Sequence, residues 1–313
     1  MLLFFCCDER PALDPKAPKV TVEIEPGMSV RQIAQTLADR SVIDNPLEFR
    51  YRLWRSQRLA IHPGRYRFPR NSPEKAVLAA LTRTGPAYLM VTIPEGLTIQ
   101  QTASILSAHG ICDSTEFLAA CSDTALLQGL GVPFSSAEGF LFPETYEFRT
   151  GTQPAEVVTR LVSQFWRVFG ELDARGAVLE PGEAVILASI VEKEAQVAAE
   201  RPIIAGVFMN RLRRHLPLQS CATVEFLLPE HKERLSYQDL KTPSPYNTYL
   251  HPGLPPGPIC SPGRASLEAA LQPARHNYLF FVSRGDGSHI FSATPDEHEA
   301  ALRKLWSRAS ERF

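Results

Sequence analysis

Apolar and polar positions follow the same order twice along this chain, 69 residues apart. VEIEPGMSVRQIAQTLADRSV (22–42) aligns with VTIPEGLTIQQTASILSAHGI (91–111). Val22 matches Val91, Ile24 matches Ile93, Gly27 matches Gly96, Ser29 matches Thr98, Gln32 matches Gln101, Ala34 matches Ala103 and Leu37 matches Leu106. Each copy reads as an alternating strand, a glycine turn, a Ser or Thr helix cap and an amphipathic helix. A Tyr-x-Phe strand and a proline-started helix follow each time, in GRYRFPRNSPEKAVLAAL (64–81) and PETYEFRTGTQPAEVVTRL (143–161). Two small α+β modules, at 18–86 and 87–170, are expected. Such modules suit either binding an extended polymer or simply spacing the rest of the chain.

Beyond residue 170 the period lengthens to that of helices, at 183–195, 199–214 and 265–273. YLFFVSR (278–284), GDGS (285–288) and HIFSA (289–293) read as a hairpin by turn chemistry. A last helix is predicted from Pro295, with Thr294 as its cap and Glu297 in its first turn. The loop at 243–263, PSPYNTYLHPGLPPGPICSPG, is long and rich in Pro and Gly, the kind of segment that carries function.

The helix EAVILASIVEKEA (183–195) holds the sharpest chemical signal. At about 100° per residue, Ile186, Leu187, Ile190 and Val191 share one side, and Glu194 projects from near its centre. Glu192 points almost the opposite way. A carboxylate on an apolar face loses hydration and holds its proton near neutral pH, as a general acid must. The competing reading is a helix-end Glu194 that bends to solvent or pairs with Arg201.

Composition excludes more than it assigns. In 313 residues, 33 Lys and Arg nearly cancel 34 Asp and Glu, so no global charge points to nucleic acid. Six cysteines (Cys6, Cys7, Cys112, Cys121, Cys221, Cys260) lack zinc-type spacing. Neither a metal nor any other cofactor is expected, and free buried thiols are favoured over a Cys221–Cys260 disulfide. GxSxG, Walker and Rossmann patterns are missing, and HEAAL (298–302) is not HExxH. His289, just after the glycine turn, reads as hairpin support rather than a base. The opening MLLFFCC is shorter than the ~20 apolar residues of a membrane span. The end of an anchor, a disordered start and a lipid-modified Cys6 or Cys7 all stay open for 1–17.

Amides, hydroxyls and aromatic rings gather in three segments: LPLQSCATVEF with Gln219, Ser220 and Thr223; YNTY with Tyr246, Asn247, Thr248 and Tyr249; and EGFLFPETY with Glu138. With no nucleotide loop or cationic cluster, this chemistry suits a carbohydrate cleft. Structural corners in turns and loops draw on the same residue types.

LASIVEKEA, ERPIIAGVFMNRL, LPLQSCATV, TPSPYNTYLHPGLPPGPICSPGRASLEAAL and YLFFVSRGDGSHIFS, in this order, resemble the endolytic murein transglycosylase (YceG-like) family, and EGFLFPETYEF extends the likeness upstream. The resemblance implies a membrane-anchored bacterial enzyme that cuts peptidoglycan glycan strands, with its catalytic domain on the periplasmic or extracellular side of the inner membrane. It also implies a LysM-like N-terminal part, and contacts with the wall-synthesis machinery. The fold expected is α+β: tandem small LysM-like modules, then a mixed helical and β-hairpin catalytic domain at 171–313. The second Glu of the family's EKE motif, here Glu194, is its catalytic residue, the one that helix geometry also selects. Glu138, Gln219, Thr223, Tyr246, Asn247 and Thr248 are the expected sugar-binding residues. Where the family commonly has Gln-Thr-Asp-Pro-Thr-Val, this chain has Gln219-Ser220-Cys221-Ala222-Thr223-Val224, so no catalytic carboxylate is expected there. The rival functions are a non-catalytic peptidoglycan-binding scaffold and a lysozyme-type hydrolase that would need a second carboxylate, Glu138 or Glu225.

Overall fold

The computed structural model describes residues 19–25, 27–56, 61–82, 88–228, 230, 232 and 235–310. The expected 1–17 segment lies outside the described residues. Among those described, no helix is long and apolar enough to cross a membrane. The protein is mixed α+β, its strands forming small two-stranded sheets. Its described residues divide into two compact units, one drawn from 19–90 with 147–152 and the other from 91–146 with 153–310.

In the first unit β1 (Lys19–Ile24) pairs antiparallel with β2 (Gly64–Pro69), Val20 opposite Phe68 and Val22 opposite Tyr66. Between these strands run α1 (Val30–Asp39) and α2 (Pro46–Arg55), and α3 (Glu74–Thr82) follows. α1 begins where the pattern predicts, with the Ser29 hydroxyl accepting from the Gln32 N–H and the Gln32 side chain accepting from the Ser29 N–H. Two of the helix's unpaired first-turn donors are thereby satisfied at once. Val22, Ile24, Ile33, Leu37, Phe49, Phe68, Val77 and Leu81 close over the core of this unit.

The second copy of the pattern gives β3 (Tyr88–Thr92) and α4 (Ile99–Ala108), the latter with the same reciprocal cap between Thr98 and Gln101. Val91, Ile93, Ala103 and Leu106 are buried like Val22, Ile24, Ala34 and Leu37. α5 (Ser114–Ala120) and α6 (Thr124–Gly129) follow, and β4 (Thr145–Arg149) pairs with β3. The two Tyr-x-Phe strands share a corner: the Tyr66 hydroxyl donates to the His62 carbonyl and Tyr146 to that of Phe142, each at 2.7 Å. α7 (Pro154–Gly170) packs on α5 and centres an aromatic cluster in which the Phe140 and Phe165 rings lie 4.8 Å apart, edge to face.

The helices then continue as α8 (Pro181–Glu194), α9 (Arg201–Arg213), the short α10 (Cys221–Glu225) and α11 (Arg264–Leu271). α9, α10 and α11 all pack on α8. The predicted hairpin is present, with β5 (Phe280–Ser283) antiparallel to β6 (His289–Ser292) and α12 (Pro295–Ser310) against both strands. Glu297 and Thr294 cap α12 as expected.

The loop 243–263 is fastened to α8 rather than left free. Ser189, fully buried, accepts from the Ile259 N–H at 3.1 Å, and Glu192 accepts from that of Gly263 at 3.0 Å. The Ser261 N–H reaches the Leu97 carbonyl, and the Gly96 N–H reaches that of Ser261. Gly139 meets this loop so closely, at φ +85°, that a Cβ there would stand 2.5 Å from the Pro258 ring. No other residue type fits that approach without displacing the loop.

A candidate active site around Glu194

The apolar face expected on the helix at 183–195 is corrected by the structure. Every residue from Ala184 to Val191 is buried, because neighbours pack on α8 from several sides. Glu192 and Glu194 stand at its C-terminal end, where the core stops and the helix dipole disfavours negative charge. They leave in different directions. Glu192 binds the Gly263 N–H and lies 3.7 Å from Arg201, taking the partner that was the alternative for Glu194.

Glu194 reaches the N-terminal end of α10. It accepts from the Ser220 hydroxyl at 2.5 Å and from the Ala222 N–H. Burial raises its pKa above that of an ordinary carboxyl. Ser220, Ala222 and the charge of a protonated His289 oppose that, while Glu225 adds to it. A cavity of about 350 Å³ opens at this carboxyl, lined also by Arg211, Gln219, Cys221, Tyr249, His289 and His298. A second, of about 440 Å³, lies along α10 and is lined by Thr98, Gln101, Lys193, Ala222, Glu225 and Phe226 among others. α10 thus contributes walls to two adjoining depressions.

The remaining expected sugar ligands take three kinds of place. Gln219, at φ +53°, is exposed in the Glu194 cavity, with its side-chain oxygen accepting from Arg211. Thr223 and Thr248 are buried beneath Ser220. The Thr223 hydroxyl donates to the Ser220 carbonyl at 2.8 Å, and Thr248 accepts from the Ser220 N–H at 3.1 Å. The two threonine hydroxyls meet at 2.8 Å. Asn247, fully buried, donates to the carbonyls of Leu240 and Thr242 and accepts from the Tyr249 N–H. These three side chains hold up the site from below. Tyr246 packs its ring 5.2 Å from that of Phe226, and the tyrosine that lines the Glu194 cavity is Tyr249.

Glu138 is buried next to the start of α4 and accepts from the Ile99 N–H at 3.1 Å. Its other oxygen is buried without a hydrogen-bond partner, and burial pushes its pKa up to about 7. It lies among the lining residues of neither depression. Glu225 lines the second one.

The sequence alone does not bring the partners of this carboxyl together: Ser220 stands in its motif with no partner indicated, and Arg211 carries no signal. Arg211 is buried on α9, donates to the Pro217 and Leu279 carbonyls, and carries its charge 5.5 Å from the centre of the Phe280 ring. Cys221 and Tyr249 touch through thiol and hydroxyl at 3.1 Å, and burial raises both their pKa values, so both stay protonated. Cys112, Cys121 and Cys260 are free thiols as well. His289 supports the hairpin opposite Ser283, as expected, and also faces the cavity. The one signal for it was its place straight after a tight turn at the head of a strand.

The YceG-like family matches residues 22–304. This chain belongs to that family. It is 30% identical over 311 residues to an endolytic murein transglycosylase of Bacillus subtilis (strain 168), covering 94% of this chain and 86% of the relative. It is 27% identical over 330 residues to an endolytic murein transglycosylase of Streptococcus pneumoniae serotype 2, covering 94% of this chain and 60% of the relative. The crystal structure of a yceG-like protein from Listeria monocytogenes superposes with a TM-score of 0.62 at 30% identity, covering 90% of this chain and 98% of that one. The matched residues take in the Glu194 cavity, α8 to α11, the β5–β6 hairpin, the first part of α12 and both copies of the repeat.

Proposed function

We propose that the protein is a lytic transglycosylase acting on the glycan strands of peptidoglycan, with Glu194 as acid and then base. The reaction class comes with the family, whose curated relatives are named endolytic murein transglycosylases. The observation that carries the choice of residue is a carboxyl biased by burial toward its protonated form, open to a cavity and hydrogen-bonded by Ser220.

Glu194 gives its proton to the oxygen joining N-acetylmuramic acid to N-acetylglucosamine, and the bond from that oxygen to the muramoyl C1 breaks. The 2-acetamido group of the same sugar stabilises the cation that develops at C1, a substrate-assisted route. The Glu194 carboxylate then takes the proton from the C6 hydroxyl as its oxygen bonds to C1, closing a 1,6-anhydro ring. No water is consumed, and the acid is restored for the next turnover. Gln219 and Tyr249 are placed to meet sugar hydroxyl and N-acetyl groups in the cavity. The two depressions along α10 suit a strand that continues past the cleaved bond on both sides.

The strand–helix–helix–strand order of residues 19–69 supports reading the first unit as a LysM-like glycan-binding module. A single-pass anchor in the inner membrane, of which residues 1–17 would carry the end, with the catalytic unit outside and wall-synthesis proteins as partners, belongs to the same proposal.

Glu194→Gln should abolish release of anhydro-muropeptides from isolated sacculi while the circular-dichroism spectrum stays that of the parent. Turnover by that variant would remove the mechanism. Mass spectrometry of the products tests the chemistry separately, because a reducing-end muramic acid would mean hydrolysis. Undigested strands with the parent protein would mean a binding scaffold.

A further inference from the structure

The Glu194 cavity is bordered by His289, and the mechanism above uses neither this histidine nor its partner Glu200. Glu200, in the turn just before α9, grips His289 at two points. One carboxylate oxygen accepts from the His289 backbone N–H at 3.1 Å, and the other lies 2.7 Å from Nδ1. Both side chains are largely withdrawn from solvent, at 8% exposure for His289 and 14% for Glu200. The Phe281 ring stands edge to face with the imidazole at 5.3 Å, which fixes its plane. With a carboxylate accepting at Nδ1, that nitrogen carries the proton and the ring that lines the cavity is held in one orientation, as a carboxylate orients a histidine.

We propose that the Glu200–His289 pair is a positioning device for Glu194: Glu200 holds the His289 ring at Nδ1 and at the backbone N–H, and the ring so held supports the carboxylate that Glu194 becomes after giving its proton to the glycosidic oxygen. The inference rests on the reading of Glu194 as the acid. Burial alone makes Glu194 easy to protonate but slow to release its proton, since the product of release is a charge in a poorly solvated site. A cation facing it lowers the cost of that charge without bringing in water. The His289 charge acts on Glu194 in this sense. The other groups around the pair and Glu194 are Arg211 from α9, Cys221 and Glu225 from α10, Tyr249 from the 243–263 loop, His298 from α12 and Arg284 after β5, which donates to the His289 carbonyl at 3.3 Å. Tyr249 and Cys221 stay neutral, and burial together with Arg211 lowers the His298 pKa, so His298 does not duplicate His289. Arg211 spends its donors on the Pro217 and Leu279 carbonyls and on Gln219. Among the described groups that line the cavity, His289 is therefore the ring held by a carboxylate of its own.

The sign follows directly. Removing a positive neighbour makes Glu194 hold its proton more tightly, so the alkaline limb of the pH–rate profile moves to higher pH while the maximal rate falls. The test measures anhydro-muropeptide release by the full chain and by its His289→Gln, Glu200→Gln and Glu194→Gln variants, from about pH 4 to pH 9. His289→Gln should lose about tenfold or more in kcat and shift the alkaline limb up by roughly one unit. Glu200→Gln should move both in the same direction by less. A limb unmoved in His289→Gln overturns the inference, even if the rate falls, because a purely structural histidine would cost rate without shifting the titration. If His289→Gln fails to fold by circular dichroism, Glu200→Gln decides by the same criterion. Activity in Glu194→Gln would instead remove the underlying mechanism. An inactive Glu194→Gln with an unshifted His289→Gln limb removes only the positioning role.

Discussion

α1 and α4 open with the same reciprocal cap, Ser29 with Gln32 and Thr98 with Gln101, yet the caps border different chemistry. Around Ser29 lies a groove lined by Val30, Leu47, Tyr51 and Trp54 with Arg31 and Arg50, and Leu47, Tyr51 and Trp54 are among the most exposed apolar side chains described. Around Thr98 and Gln101 lies the polar depression that also takes in Lys193 and Glu225. The glycines before the caps differ in the same way. A Cβ on Gly27 would meet nothing within 4 Å, whereas one on Gly96 would touch the side chains of Glu192 and Lys193. In the second copy the first N–H of the helix also donates to Glu138, and the turn is bonded to Ser261. One local design thus serves as a self-contained module and as a wall beside the candidate site. What is packed on the repeat, not the repeat itself, decides its chemistry.

The sharpest way to break that comparison is to empty the same position in both copies. Leu37 and Leu106 correspond in the repeat, and both are fully buried. Either Leu→Ala change should cost about 2–5 kcal/mol, from lost burial and the cavity left behind. Leu106→Ala should raise hydrogen exchange in α4 and reduce turnover on short soluble glycan strands. Leu37→Ala should raise exchange in α1 and leave that turnover near the parent value at temperatures where the chain is folded. Equal loss of turnover in the two variants would end the distinction between module and wall.

Glu138 sharpens it next, since it anchors the second copy's helix. Its carboxyl is raised from the ordinary 4.5 to about 7 by burial, with the Ile99 and Gly139 N–H groups working the other way. A carboxyl whose folded pKa lies above its unfolded one stabilises the fold while protonated. That stability is fully present below the unfolded value and is lost as pH rises through the folded value. The expected loss between about pH 4.5 and pH 7 is about 3 kcal/mol. Urea unfolding at a series of pH values should show this slope, and Glu138→Gln, which mimics the protonated acid, should flatten it. A parent slope unaffected by the substitution would mean that Glu138 is not the group responsible.

How far the sequence reading reached is clearest residue by residue. The repeat, the caps and the hairpin were legible because alternation, cap chemistry and the GDGS turn are local signals. Glu194 was singled out with only half the reason: the helix is buried all round, and what distinguishes Glu194 from Glu192 is which neighbour each meets at the helix end. Thr223, Asn247 and Thr248 have side-chain groups of the kind that bind sugars. Residue type does not say whether an amide faces a cavity or is spent on backbone carbonyls, as Asn247 is on Leu240 and Thr242. Tyr246 and Tyr249 lie in a loop without periodicity, so nothing in the chain told which ring turns toward Glu194. Ser220, Arg211, His289 and His298 come from four separate segments, and only tertiary packing brings them together.

The smallest expected effect tests the caps themselves. Ser29→Ala and Thr98→Ala each remove the hydroxyl that accepts a first-turn N–H, in Gln32 and Gln101 respectively. Loss of such a cap typically costs about 1 kcal/mol, so the two variants should lower stability to denaturant by similar amounts. Their functional consequences should diverge. Thr98 lines the depression beside α10 and Ser29 does not, so Thr98→Ala should raise KM for soluble glycan strands about two- to fivefold, a change of about 0.5–1 kcal/mol in binding. Ser29→Ala should leave KM as it is. Thr98→Ser, which keeps both the cap and the hydroxyl, should restore most of the lost affinity. If Thr98→Ala leaves KM unchanged while its stability falls as predicted, the second copy supports the site without touching the glycan.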